Sequence, residues 1–186
     1  MEGIQLLSDN RESKIKSPQK HRNLYLEDGT LVMQVENVIF KVHRSILAQY
    51  SKVIQDMIAL PGDGESKDGT EENPLVLIGD TAASWERLLK IPYGVPRLKS
   101  ERIKGEHLLE ILTIAHKYCM EEIEADIIEE LKTTPSYDGL VDIVVASQIV
   151  GSKELYDEGI RRIIAYENLP TLQQAKRIGS AVIAEL

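Results

Sequence analysis

A thiol and an imidazole three residues apart on one helix could serve as a nucleophile and its base, and His116 and Cys119 have that spacing. The ring would take the thiol proton, and a third group would hold the ring in place. No such third group can be assigned, and no oxyanion loop accompanies the pair. Cys119 also continues the aliphatic stripe Leu108, Leu112 and Ala115. A free cysteine on such a stripe packs as a small, inert hydrophobe, so the spacing predicts a buried Cys119. A cysteine hydrolase using Cys119 remains the alternative from a different class of function.

Metal and phosphate chemistry find less support. His43 has no second His, Cys or acidic cluster at ligand spacing beside it. The carboxylates from Glu121 to Glu130 are spread around a helical repeat and lack the glycine of a calcium loop, which predicts a solvated face. The glycine-rich stretch from Pro61 to Asn73 contains no Gly-Lys-Ser/Thr and reads as a long polar loop. A single Cys excludes an intramolecular disulfide and any multi-cysteine zinc site. No cofactor and no metal are expected. Asp28 and Arg44 stand out instead, because a buried charge is tolerated only when paired, and together they could mark an interface. The competing reading leaves both as exposed surface charges.

Asp28, His43 and Arg44 all belong to the stretch from Asp28 to Met57, so its local structure decides where they go. Leu31, Met33 and Val35 fall on one side of an extended segment, and Val38, Phe40 and Val42 on one side of the next. Only Glu36 and Asn37 lie between, which predicts a tight hairpin, with Asn37 the residue that tolerates positive φ. After Val42 the period becomes helical: Ile46 and Leu47, then Val53 and Ile54, then Met57 and Ile58. A short helix opening at His43, a break near Ser51 and a second helix are expected.

The runs D-G-T-L-V-M-Q-V and F-K-V-H-R-S-I-L-A-Q-Y-S resemble the start of a BTB/POZ domain. The family pattern is an Asp opening a strand, a hairpin, then His, a basic residue, Leu-Ala and a Ser. Here these are Asp28, His43, Arg44, Leu47, Ala48 and Ser51. The resemblance, to BTB proteins of the fungal type, implies an α+β fold: a small sheet flanked by helices. It implies a structural His43 at the hairpin-to-helix corner, and a contact between copies near Asp28 and Arg44. It also implies protein–protein interaction: self-association, recruitment of a partner, or service as a substrate adaptor of a cullin-3 ubiquitin ligase. A corepressor-recruiting transcription regulator is a further member of that list, but no DNA-binding motif follows.

Along the chain, residues 1–23 read as a flexible basic arm with few apolar anchors: Ile4, Leu6, Leu7 and Ile15. Leu24, Tyr25 and Leu26 could extend the first hairpin strand. Pro74 to Ile78 reads as a third strand buried on both faces, and Asp80 or Thr81 caps a helix whose core face is Trp85, Leu88 and Leu89. Pro92 should end that helix early, and Tyr93-Gly94 loosely matches the family's Tyr-x-Gly. A basic linker over residues 95–105 leads to two helices that resemble the family's closing pair. The expected domain therefore covers residues 24–132. Beyond Thr133-Thr134-Pro135-Ser136, residues 133–186 read as a helical extension with helices near 138–150, 153–166 and 171–185.

Composition bounds these readings. The chain has 186 residues, 42% of them hydrophobic but only 5% aromatic, so its core must be aliphatic. A net charge of −8 argues against a general nucleic-acid binder. No apolar run approaches a membrane span, which gives an expectation of a cytoplasmic or nuclear protein. The sparse arm makes a strand-exchanged dimer poor in buried surface, so any dimer should be weak or concentration-dependent, resting near Asp28, Arg44 and Tyr50.

Overall fold

The hairpin forms as its alternation requires, with β2 (Leu31–Val35) antiparallel to β3 (Val38–Val42). Met33 faces Phe40 and Leu31 faces Val42, and all four are fully buried. The positive φ of the turn falls on Glu36, at 52°, whereas Asn37 was the expected carrier. The computed structural model describes residues 17–59, 68–94, 103–166 and 170–179. The expected arm through residue 16, the loop over 60–67, most of the basic linker and the end of the last helix lie outside the described residues.

Two expectations about the sheet need correction. Leu24 and Tyr25 do not extend the first hairpin strand; they end a separate strand, β1 (Gln19–Tyr25), which pairs in parallel with β3. Residues 19–23, read from the sequence as the end of a flexible arm, are therefore strand. Between β1 and β2 the chain turns tightly against β3, and a Cβ on Gly29 would lie 2.8 Å from Lys41 Cγ, which only glycine avoids. β4 is short (Leu75–Val76) and lies beside β2, giving the order β1-β3-β2-β4. Leu75 and Leu77 are buried, but Val76 and Ile78 are 55% and 84% exposed. As an edge strand β4 covers one face only, so an apolar run that suggested double burial is half solvated.

The helices follow the expected period. α1 (Arg44–Tyr50) and α2 (Lys52–Ala59) break at Ser51, whose hydroxyl accepts the Ile54 N–H at 3.0 Å and donates to the Tyr118 carbonyl at 2.6 Å. The break thus caps α2 and ties it to the far end of α4 (Gly105–Lys117). α3 (Ala82–Leu89) starts at Thr81, which accepts the Ser84 N–H, and stops at Leu89 ahead of Pro92. The expected core residues Leu47, Ile54, Leu88, Leu112 and Ala115 are all fully buried.

Cys119 is exposed, contrary to its place on the aliphatic stripe. α4 ends at Lys117, two residues before Cys119, so the stripe does not reach it. The Met120 N–H bonds back to the Ala115 carbonyl at 2.8 Å, and Cys119 takes φ 50° to allow this, closing the helix in a Schellman-type turn. Met120 then occupies the core in place of Cys119.

α5 (Glu121–Lys132) buries Ile123, Ile127 and Leu131 and turns Glu121, Glu122, Asp126 and Glu129 to solvent, as the dispersed carboxylates suggested. α6 (Tyr137–Val150) is buried nearly throughout its first three turns, against α4, α5 and α7 (Lys153–Ile164). α8 (Leu172–Ile178) lies on α6, with Gln174 donating to Asp138 at 2.8 Å and Arg177 paired with Asp142. Burial raises the Asp142 pKa, against the lowering effect of Arg177. Leu140, Val141, Ile143 and Val144 of α6 join the same apolar cluster as the hairpin and α4.

Candidate functional site

His43 occupies the N-cap position of α1, but its side chain makes no cap bond. The ring instead bridges two parts of the chain. Nε2 lies 3.2 Å from Asp28 Oδ2, in the turn between β1 and β2. Nδ1 lies 3.0 Å from the Tyr93 hydroxyl, which also accepts the His43 backbone N–H at 2.8 Å. With Nδ1 unprotonated, Tyr93 donates to the ring and Nε2–H donates to Asp28. The hydrogen bond from His43 holds the Asp28 carboxyl below its ordinary value, while burial raises that of Tyr93.

The structure therefore brings Asp28 and His43 together, where the sequence suggested Asp28 and Arg44 as the polar pair. Arg44 begins α1, and its backbone N–H donates to Thr30 Oγ1 at 3.0 Å, fastening the helix to the start of β2. Tyr50, at the other end of α1, is half-buried against the core. Tyr93 was legible only as a loose family match, since fifty residues separate it from His43. Asp28 itself is 83% exposed, so the cluster presents a carboxylate to solvent on an anchored turn.

A second polar cluster is turned inward. The Asp80 side chain is 4% exposed and accepts from Lys117 Nζ at 2.6 Å, Tyr118 Oη at 2.7 Å and Trp85 Nε1 at 3.0 Å. Burial works to raise its pKa, but these three donors carry it below the ordinary value. The Tyr118 hydroxyl is pushed up by burial and by Asp80. This cluster joins the end of β4, α3 and α4, with Lys117 also donating to the Ile78 carbonyl at 3.0 Å.

The pair weighed as a nucleophile is not assembled. The His116 ring is turned to Glu124, at 3.0 Å from Nδ1, and among the described residues no hydrogen bond joins it to the Cys119 thiol. Among the described residues no group of three His, Cys, Asp or Glu could hold a metal ion. No described helix is long and apolar enough to cross a membrane.

A strand-hairpin-helix-helix start, a short β4, α3 and the paired α4 and α5 reproduce the order that the motif residues implied. No curated protein matches the chain. The family model of the BTB/POZ domain matches residues 21–135, from within β1 to the residue before the N-cap of α6. The match spans more than half of the sequence, and the chain belongs to the BTB/POZ domain family.

Proposed function

We propose that this chain is a non-enzymatic interaction module that self-associates weakly and recruits a partner through its BTB/POZ domain. Domains of this family are interaction modules. The observation that carries the reading here is the 83% exposed Asp28 held by His43, the residue that precedes Arg44 at the head of α1. A carboxylate whose position is fixed before binding loses little freedom when a partner's cation meets it. Tyr50, at the other end of the same helix, is only partly buried. Sedimentation velocity over a concentration series tests this, using the full chain and a version lacking residues 1–16, which spares β1. A concentration-dependent dimer that survives truncation and weakens in Asp28→Lys is expected. A monomer at every concentration removes self-association. A tight dimer lost on truncation transfers the contact to the first sixteen residues.

A cullin-3 adaptor is the second reading. Its support is family membership together with a helical extension that packs directly on α4 and α5, which would hold a bound partner at a defined angle to the domain. Purified cullin-3 mixed with the chain should co-elute if the reading holds. Elution as separate species excludes it.

A further inference from the structure

We propose that the outer edge of β1 is a docking strand for an extended acidic segment of a partner protein, which would add to the sheet and set its carboxylates against Lys20 and Arg22. β1 is an edge strand. The Gln19 N–H is turned inward to the Asn37 carbonyl at 2.9 Å, and Gln19 and Lys20 stand opposite Val38 and Ile39 in the parallel register. Alternation along the strand turns the N–H and C=O of Lys20 outward, away from β3. Those groups are the template on which an extended peptide pairs.

The side chains select the peptide's charge. Lys20 and Arg22 are both exposed, and neither is within ion-pair distance of a carboxylate among the described residues, although the Lys20 charge helps hold the Glu71 carboxyl below its ordinary value. Lys20 Nζ lies 4.2 Å from the Tyr25 ring centroid, which holds the cation over this end of the sheet. Lys41 stands behind them but is already paired with Glu71 at 2.7 Å. In a chain of net charge −8, this edge is locally positive. A second copy pairing edge to edge would set Lys20 and Arg22 against the same cations, which disfavours it. Two exposed cations are too few to neutralise a run of phosphates, which disfavours nucleic acid. The edge is also short. His21 Nδ1 accepts the N–H groups of Asn23 and Leu24 at 3.2 and 3.0 Å, and the register shifts between Lys20 and Tyr25, so a peptide has only the first residues of β1 to pair with. Weak, salt-sensitive binding follows.

The test is fluorescence polarisation of the full chain with a labelled alternating Glu-Val peptide, with amide exchange followed at Lys20. Saturable binding that falls with salt and slows exchange of the Lys20 amide is expected. Lys20→Glu/Arg22→Glu should weaken it about tenfold, two exposed charge contacts being lost. Both side chains are exposed, so the variant should fold, and Lys20→Gln/Arg22→Gln gives an intermediate check. A peptide with prolines at alternate positions should bind much less, because it lacks the donors. No saturable binding up to millimolar chain, or binding indifferent to charge reversal, overturns the proposal. Equal binding of the proline peptide or of single-stranded DNA also overturns it, showing a general polyanion contact. These readouts are independent of self-association near Asp28.

Discussion

Cys119 shows how a single residue's backbone can outweigh its side chain. An L-residue at φ 50° is strained, and glycine would relieve most of that strain while adding freedom to the unfolded chain. Cys119→Gly should therefore raise stability by about 0.5–1 kcal/mol in urea unfolding; a loss would mean that the thiol makes a contact worth keeping. Asp80 is the opposite case, a side chain whose removal leaves donors stranded. Asp80→Ala should cost about 2–3 kcal/mol, since one of its hydrogen bonds carries a cation and two others become unmet. Its depressed pKa also fixes a sign. The stability it contributes is complete above the ordinary carboxylate value of 3.8 and is lost as pH falls through the depressed one. Stability measured by urea unfolding between about pH 6 and 2 should fall more steeply below pH 3.8 in wild type than in Asp80→Asn, which has no carboxyl to titrate there.

At the scale of elements, packing is concentrated in few side chains. Leu47 is the buried residue of α1, and that helix carries Arg44 and Tyr50. Leu47→Ala should cost about 2–5 kcal/mol, the range for emptying a well-packed leucine site. Chemical denaturation measures it, and a change below about 0.5 kcal/mol would contradict its burial. The α6–α7 contact depends on a small residue in mid-helix. A Cβ on Gly159 would come within 2.8 Å of Val144 Cγ2 and 3.2 Å of Ile143 Cγ2. Gly159→Val should therefore destabilise by about 1–3 kcal/mol through overpacking, despite removing a poor helix former. Thermal melting of the variant would show it.

For the whole molecule, the sharpest question is where the domain ends. The sequence places a boundary at Thr133 to Ser136, yet α6 contributes Leu140, Val141, Ile143 and Val144 to the apolar cluster that includes Leu112 and Phe40. We propose that α6 is part of the folding unit, because its removal would expose the α4 face it covers. A chain ending at Lys132 is expected to lose near-ultraviolet circular dichroism and bind a hydrophobic dye, while one ending at Val150 keeps its tertiary signal. Equal folding of the two would make the helical extension a separate appendage.

Local period and motif chemistry were sufficient for the hairpin, the change to helix after Val42, a cap for α3 at Asp80 or Thr81, and the buried rows of α1 to α5 except Cys119. Each of these depends on residues within a few positions of one another, so the sequence states them directly. The family motif added the order of elements, and with it the α+β architecture. Only the tertiary structure decided the rest. β1 is a strand because β3 offers it a parallel edge, a pairing that no pattern within Gln19 to Tyr25 announces. Val76 and Ile78 are exposed because β4 lies at the other edge, although their run looks like a buried strand. Cys119 leaves the core because the chain reverses there and Met120 fills the space. Asp28 pairs with His43 because Tyr93, distant in sequence, orients the ring toward the turn. Periodicity reports which face of an element is apolar. Partners, edges and reversals depend on what the fold brings beside that face, and this is set by contacts between residues far apart in the chain.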